Sequence, residues 1–400
     1  METTKTSNRT IIWILGSLST VTPFAIDLYL PAFSQIASDF KTNTATISLS
    51  VSSYFIGMAI GQILYGPFLD RYGRKRPLYV GLLIFILASM GCMQAWNVNS
   101  LIAFRFFQAL SGSVAWVGAV AMVRDFFPVK ESARVFSLLF LIIGVSPLLA
   151  PTVGGFIVTE FGWQAIFISL SAITLIFLII VYFFLPEGHP PDPTISLRVK
   201  PMLLTFQDII KNPLFSKYAF AGAFSFSTLF IYVAGSPIIF MEMYHVSPKV
   251  YGLIFALLSV GFIGGGQVNI QLTKKYESEN IFHAALVVQV VAGFIFLTGV
   301  MGDWLGLYGT IAFFFVCLSC IGLINPNGNA LALSQFTRTV GSASALLGCI
   351  QIGLASLVSF GVGLFNTADA IPIVALMTIT SSIALLIILR TRHTAITNVD

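Results

Sequence analysis

One carboxylate and one guanidinium lie inside long apolar runs of this 400-residue chain, where folding does not require them. Asp27 lies in the stretch TVTPFAIDLYLPA, within an apolar run from about Ile11 to Phe33. A run of that length can cross the roughly 30 Å of bilayer hydrocarbon as a helix. A charged side chain at that depth costs about 2.5–3.5 kcal/mol, so we predict that Asp27 meets a proton, an ion or a charged ligand. Solvation at the outer interface, or a structural tie between two helices, stays open.

Arg105 is the second such charge, about one helical turn inside the fourth apolar run. Arg105, Gln108 and Gly112 recur at i, i+3 and i+7, which places them on one face of a helix. An arginine at this depth needs a partner or a water-filled cavity. Two interpretations stay open: proton handling together with Asp27, or a structural pin bonded to backbone carbonyls. Pairing near a cavity would be the least costly way to carry both charges.

The composition indicates that these charges belong to a membrane protein. Hydrophobic residues make up 56% of the chain, charged residues make up 9%, and the mean hydropathy is +0.91. In a soluble protein about a quarter of the residues would be charged. The chain has twelve apolar runs of spanning length, centred near Val21, Phe55, Ile86, Val114, Leu148, Leu175, Phe230, Val260, Ala292, Phe315, Leu354 and Met377. The predicted fold is therefore all-α, with twelve transmembrane helices.

A proline-rich segment divides the twelve runs into six and six. Pro186–Lys217 carries six prolines and several basic residues, which predicts a linker with a short amphipathic helix at Leu203–Ile210. The predicted boundaries are an N-terminal six-helix bundle at 1–188, a cytoplasmic linker at 189–212 and a C-terminal six-helix bundle at 213–400. Two parallel repeats of this kind are typical of transporters with a central substrate site.

The basic residues predict an orientation. Eighteen of the 21 lysines and arginines fall in the termini, the linker and alternate loops, whereas the intervening loops carry only Lys41 and Lys249. By the positive-inside rule, both termini and the linker are cytoplasmic. The net charge of +5 is small for this length and does not indicate nucleic-acid binding.

The loop after the second run reads GPFLDRYGRKR, from Gly66 to Arg76. Its glycines permit close approach and a tight turn, and Asp70 can face a helix N-terminus or pair with an arginine from the other six-helix segment. A simple basic loop does not explain Gly, Asp and Gly at this spacing. The loop resembles the signature of the major facilitator superfamily, and the resemblance implies a latch whose charge pairs break and re-form as the two halves rock. The latch residues are Gly66, Asp70, Arg71, Gly73, Arg74, Arg124 and Asp125.

The fifth run contains GVSPLLAPTVGG, with prolines and glycines on one helical face. A proline-kinked packing face accounts for part of this pattern. The pattern also resembles the exporter motif of the superfamily, and in particular its Bcr/CflA-type (bicyclomycin-resistance) drug:proton antiporters. The motif residues are Pro147, Ala150, Pro151, Gly154 and Gly155.

Four further stretches resemble the same branch: DLYLPA from Asp27, VRDFF from Val123, NPNGNALAL from Asn325 and GSASALLG from Gly341. The resemblance implies efflux of small antibacterial compounds in exchange for protons. We predict that this transport occurs by alternating access, with Asp27 and Arg105 as the proton-coupling pair. The energy source is then the proton gradient, and no cofactor is needed. A transporter of one metabolite, either an exporter of a sugar or amino acid or an importer, is the alternative. The resemblance alone implies the bacterial inner (cytoplasmic) membrane, and we expect a monomer.

The substrate cavity is expected to be largely apolar, because such walls suit ligands of varied shape. Pro326 is expected to break the tenth run near Asn325, and Glu242 is expected to be a solvated helix end. The candidate cavity residues are Tyr29, Gln108, Trp116, Phe224, Phe226, Phe230, Tyr232, Asn325 and Gln351.

Neither an enzyme nor an ATP-driven pump is predicted. The four histidines are dispersed, no metal-ligand or nucleophile constellation is evident, and the sequence lacks a GxxxxGK[ST] loop. The expected partners are small-molecule drugs, protons and the lipid bilayer.

Overall fold

A computed structural model describes residues 7–193, 206–336, 340–365 and 369–396, and over these residues the regular structure is helical. The helices are α1 (Asn8–Asp27), α2 (Phe33–Asp39), α3 (Thr44–Tyr72), α4 (Lys75–Met93), α5 (Val98–Phe126), α6 (Val129–Phe161), α7 (Gln164–Phe184), α8 (206–210), α9 (Pro213–Pro237), α10 (Pro248–Leu272), α11 (Ser278–Met301), α12 (Gly306–Leu333), α13 (Val340–Leu364) and α14 (Ala370–Ile396). A 3₁₀ turn (Leu30–Ala32) joins α1 to α2, and a π-helical segment (Ile238–Met243) extends α9.

Twelve helical spans within the described residues are long and apolar enough to cross a membrane. Every predicted run centre lies inside one of them, from Val21 in the first to Met377 in the last. The prediction of an all-α membrane protein with twelve spans is therefore confirmed. Of the predicted linker helix, 206–210 is helical, and 203–205 lies outside the described residues.

The first span is broken next to its carboxylate. α1 ends at Asp27, and the 3₁₀ turn that contains Pro31 follows it. A proline ring clashes with the carbonyl of the residue four positions earlier, which is here Asp27. Pro31 therefore accounts for the end of α1 at the buried Asp27.

The expected break at Pro326 is wrong. α12 continues through Pro326 to Leu333. Proline removes only one helix hydrogen bond, the one to the carbonyl of Gly322 four residues earlier. Gly322 itself packs against the backbone of α10, where a Cβ would lie 2.7 Å from the backbone nitrogen of Gly266, so contact with α10 supports α12 through this turn.

The chain divides into two compact units. The first comprises Met1–Lys41, Ser53–Leu197 and Pro248–Gly252, and the second comprises Thr42–Ser52, Arg198–Ser247 and Leu253–Asp400. In the first unit, α1 packs against α5 and α6, and α4 packs against α5 and α7. In the second unit, α9 packs against α12, α13 and α14 around an apolar core.

Candidate functional site

Asp27 is buried where the first span breaks, with 7% of the residue exposed. The hydroxyl of Ser146 on α6 donates a hydrogen bond of 3.2 Å to Asp27 Oδ2. No lysine or arginine among the described residues forms an ion pair with Asp27. The carboxyl group is therefore held by a neutral donor at the break in the first span.

Close packing brings Ser146 to Asp27. A Cβ on Gly154 would lie 2.3 Å from the carbonyl oxygen of Leu28, the residue after Asp27, so only glycine allows α6 to approach this closely. Ser146 lies about two turns earlier on the same helix. The other motif residues on α6 are Pro147, Ala150, Pro151 and Gly155. The motif therefore positions the helix that supplies the hydrogen bond.

Arg105 on α5 is fully buried between two tyrosine rings. Its guanidinium carbon lies 4.4 Å from the ring centre of Tyr29 and 4.2 Å from that of Tyr54. The negative faces of aromatic rings attract a cation, and the attraction strengthens when water is excluded. In the described part of the chain, Arg105 has this aromatic clamp instead of the expected ion pair with Asp27. Tyr29, a candidate cavity residue, is fully buried in the clamp.

The hydrogen bonds of Arg105 tie α5 to α1. Arg105 Nη1 donates to the carbonyl of Ala25 at 3.0 Å and to Gln108 Oε1 at 2.7 Å. Gln108 in turn donates to the hydroxyl of Ser89 at 2.7 Å, so this candidate cavity residue lies in the Arg105 network. The Nε and Nη2 groups of Arg105 are buried, and no described residue accepts a hydrogen bond from them. Two donor groups therefore remain available close to the turn that ends at Asp27.

The loop between α3 and α4 centres on Arg74. Its Nη1 lies 2.5 Å from Asp70 Oδ1, and its Nε lies 2.7 Å from Asp125 Oδ2. Burial lowers the pKa of Arg74. The hydrogen bonds and charges of the two carboxylates together raise the pKa by more than burial lowers it, so the net shift is upward and the side chain stays charged. Gly73 has a φ of +82°, a conformation that favours glycine. Asp70 therefore pairs within its own loop.

The other predicted latch residues have different surroundings. A Cβ on Gly66 would have open space around it, Arg71 lies over the ring of Tyr72, and Arg124 is exposed.

Glu187, just after α7, contacts the backbone beside Arg74 and was not identified from the sequence. Its Oε1 accepts the backbone N–H groups of Arg74 at 2.5 Å and Lys75 at 3.0 Å, where α4 begins. A carboxylate at a helix N-terminus is favoured by the free N–H groups and the helix dipole. Because Glu187 is more than 100 residues away in the chain, only the tertiary structure brings it there.

In the second unit, the aromatic candidates differ in their surroundings. Tyr232 is buried, with its ring centre 5.3 Å from that of Phe255 and 5.2 Å from that of Phe314. Phe226 and Phe230 contact each other at 5.5 Å. Phe224 packs against the apolar core of this unit, and Trp116 is half-buried on α5 of the first unit. Their contact with substrate stays a prediction.

Amide side chains also converge in the second unit. Gln351 Nε2 donates to Asn325 Oδ1 at 3.0 Å and to Asn329 Oδ1 at 2.8 Å. Two of these three residues are predicted cavity residues, and Asn329 is not. Because the unbroken α12 places Asn325 and Asn329 one turn apart, they reach the same partner.

Glu242 is half-buried within the π-helical segment. Its carboxylate accepts a hydrogen bond from the hydroxyl of Thr44, which belongs to the same unit. The expectation of a freely solvated helix end is therefore wrong.

Comparison with known proteins gives one family. The family described as the Major Facilitator Superfamily matches residues 15–360. The chain is 31% identical over 379 residues to the "Uncharacterized MFS-type transporter YdgK" of Bacillus subtilis, with 93% of each chain covered. It is 31% identical over 369 residues to the "Bicyclomycin resistance protein homolog" of Haemophilus influenzae, with 92% of each covered. It is 30% identical over 334 residues to the "Multidrug resistance protein MdtL" of Salmonella heidelberg, with 82% of each covered.

Solved structures share the fold at low sequence identity. A D-xylose-proton symporter aligns with a TM-score of 0.73 at 14% identity, over 94% of this chain and 97% of that chain. A bacterial homolog of the human lysosomal transporter Spinster aligns with a TM-score of 0.73 at 14% identity, over 95% of this chain and 96% of that chain.

Proposed function

The chain belongs to the major facilitator superfamily, and we propose that it exports small antibacterial compounds from the cell in exchange for protons. It is a membrane transporter of small molecules with twelve spans. The relatives named for bicyclomycin resistance and for multidrug resistance support drugs as the transported class. Coupling to protons and outward transport are supported by the Asp27 site and by the exporter-like motif of α6.

The observation that carries the proposal is the buried carboxyl group of Asp27, held by one neutral hydroxyl. A carboxyl group can take up and release a proton, and Asp27 has no permanent counter-ion among the described residues that would hold it ionised. The break in the first span lets the backbone move at this residue. Asp27 is therefore the group that carries the exchanged proton.

Arg105 stabilises the form of Asp27 that has lost its proton. Its Nε and Nη2 groups have no acceptor within the described chain, and its Nη1 is bonded to Ala25, half a turn before Asp27. A small change at the break brings the carboxylate towards donors that are already desolvated and oriented. Charge-assisted hydrogen bonds of this kind are about twice as strong as neutral ones.

In the proposed transport cycle, proton binding at Asp27 and drug binding to the protein oppose each other. In the outward-open state Asp27 takes up a proton, and in the inward-open state it releases the proton and the drug binds. One proton that crosses about 100 mV gains about 2.3 kcal/mol. A pH difference of one unit raises the gain to about 3.7 kcal/mol, which supports a gradient of a few hundredfold for a neutral drug exchanged one for one.

We place the protein in the bacterial inner membrane as a monomer, with both termini and the loop of Arg74 in the cytoplasm. The distribution of lysine and arginine supports this orientation, and the bacterial relatives support the membrane.

The test is proton-driven drug uptake into everted membrane vesicles. Asp27→Asn is expected to abolish uptake, and Asp27→Glu is expected to retain part of it, because the carboxyl group is kept. Asp39→Asn is the matched control, since Asp39 accepts a hydrogen bond of 2.7 Å from Trp163 Nε1 and has no place in the cycle. Undiminished uptake by Asp27→Asn would remove Asp27 from the mechanism. Drug movement out of everted vesicles would instead favour an importer.

A further inference from the structure

Asn325, Asn329 and Gln351, here called the amide cluster, form a polar site within the second unit that the proton-coupling residues do not use. The two asparagines lie one turn apart on α12, and Gln351 on α13 donates to both. None of the three carries a formal charge. Amide side chains inside membrane-spanning helices cost free energy unless their donor and acceptor groups form hydrogen bonds.

Only some of the donor and acceptor groups of the amide cluster form hydrogen bonds. Gln351 is 7% exposed and gives its two N–H groups to the asparagines. Within the described residues, Gln351 Oε1 and the Nδ2 groups of Asn325 and Asn329 make no hydrogen bond. One acceptor and two donor groups are therefore available at one place, and both asparagines are half-buried, so the cluster has an open side.

Asn327 shows what a purely structural amide looks like on the same helix. Its Nδ2 donates to Asn269 Oδ1 of α10 at 2.6 Å and to the carbonyl of Leu323 at 2.8 Å. Asn327 is buried and ties two helices together, as polar residues commonly do in membranes. Asn327 Oδ1 also makes no hydrogen bond within the described residues, but Asn327 is only 2% exposed, whereas both asparagines of the amide cluster are half-buried. The amide cluster therefore differs in its open side.

The open side of the amide cluster does not coincide with the exposed apolar stripe of α12. That stripe includes Tyr308, Phe315 and Val316. At 3.6 residues per turn, Asn325 and Asn329 lie about 100° around the helix from the centre of the stripe. The amides are therefore turned away from the surface that suits lipid.

Helix α9 leaves room beside the cluster and continues it with aromatic rings. α12 and α13 both pack against α9, and a Cβ on Gly222 of α9 would lie 3.9 Å from Gln351 Nε2. Phe226 and Phe230 follow Gly222 at i+4 and i+8, on nearly the same face of α9. A polar group of a ligand at the cluster would thus have an aromatic wall next to it.

We infer that the amide cluster binds neutral drugs that carry hydroxyl, amide or carbonyl groups, while Phe226 and Phe230 cover their apolar parts. The inference rests on the proposed drug export and adds its substrate class. The unused donors and acceptor match such groups, and the cluster offers no charge to attract an ionic ligand. The proton is then handled in the first unit, and the polar part of the drug is recognised in the second.

The test compares two probes in everted vesicles from cells that produce the full chain. Bicyclomycin is neutral and carries hydroxyl and amide groups, whereas tetraphenylphosphonium is a cation without a hydrogen-bonding group. Gln351→Met keeps the size of the side chain and removes its polar atoms. We expect this variant to lower bicyclomycin uptake about tenfold, the effect of one net hydrogen bond, and to leave tetraphenylphosphonium uptake within about twofold. Asn327→Ala, compared at equal protein abundance, is the control and is expected to leave the ratio of the two rates unchanged.

Each other outcome separates the two proposals. If Gln351→Met lowers both probes equally, the amide cluster is structural and the inference fails while drug export stands. If the wild type transports tetraphenylphosphonium but not bicyclomycin, the assigned substrate class is wrong. If the wild type transports neither probe, the proposed function itself fails. If it transports only bicyclomycin, a loss in Gln351→Met that Asn327→Ala does not show supports the inference. An equal loss in both variants contradicts it.

Discussion

Substitution of Gly154 tests whether the close approach of α6 to the broken first span is needed for transport. In Gly154→Ala, the added Cβ would lie 2.3 Å from the carbonyl oxygen of Leu28 and 3.0 Å from its carbonyl carbon. Both are backbone atoms, so no side-chain rotation relieves the clash. Ordinary contact begins at 3.4 Å, so the helices must separate locally by about 1 Å.

A separation of about 1 Å is enough to disconnect Asp27. The hydrogen bond from Ser146 to Asp27 is 3.2 Å long, and at about 4 Å it would no longer exist. Overpacking of this kind costs about 1–3 kcal/mol. We expect Gly154→Ala to lower both the melting temperature of the purified protein and the rate of drug uptake, the rate by about tenfold.

The matched control is Gly118→Ala on α5 of the same unit. A Cβ on Gly118 would lie 3.6 Å from Leu78 Cδ1, an ordinary contact with the end of a flexible side chain, so wild-type behaviour is expected. The assays are drug uptake into everted vesicles and thermal unfolding followed by size-exclusion chromatography. Wild-type uptake and melting temperature in Gly154→Ala would refute the packing argument.

Three further substitutions test the surroundings of Arg105 and Arg74. Arg105→Lys keeps the charge but loses the planar stack between two rings, so uptake should fall at least tenfold; Tyr54→Phe keeps its ring and should transport within about twofold of wild type. A wild-type rate in Arg105→Lys would show that the clamp is unnecessary. Glu187→Gln should lower the free energy of unfolding by about 0.3–1 kcal/mol, because it removes the negative charge from the start of α4 near Arg74. Unchanged melting temperature there would mean that Glu187 contributes only a hydrogen bond.

The spans could be predicted because their signals are local. An apolar run of spanning length is sufficient to place a membrane helix. Pro31 predicts a disturbed helix near Asp27 for the same reason, since its effect reaches only four residues back.

The partners of the buried charges could not be predicted from the sequence. Ser146 is 119 residues from Asp27 along the chain. Ser146 lies in the stretch GVSPLLAPTVGG, but nothing in that pattern indicates that its hydroxyl donates to Asp27. Tyr54 and Glu187 present the same difficulty, because membrane helices are apolar on most faces and their periodicity does not show which face meets which neighbour.

The amide cluster was half predicted. Asn325 and Gln351 stand out as polar residues in apolar runs, but a break at Pro326 would separate Asn329 from the helix that carries Asn325. α12 continues, so Asn329 lies one turn beyond Asn325 and reaches the same glutamine. A proline removes one helix hydrogen bond, and packing against neighbouring helices determines whether the helix ends there.

Proton release on drug binding tests the central claim most directly. Purified protein in weakly buffered detergent solution would be mixed with a neutral drug, and the pH change would be recorded with an indicator dye. If drug binding favours the ionised form of Asp27, the wild type should release up to about one proton per bound drug, and Asp27→Asn should bind the drug without releasing any. Equal proton release by both proteins, or drug binding by the wild type with no release at any pH, would contradict the account.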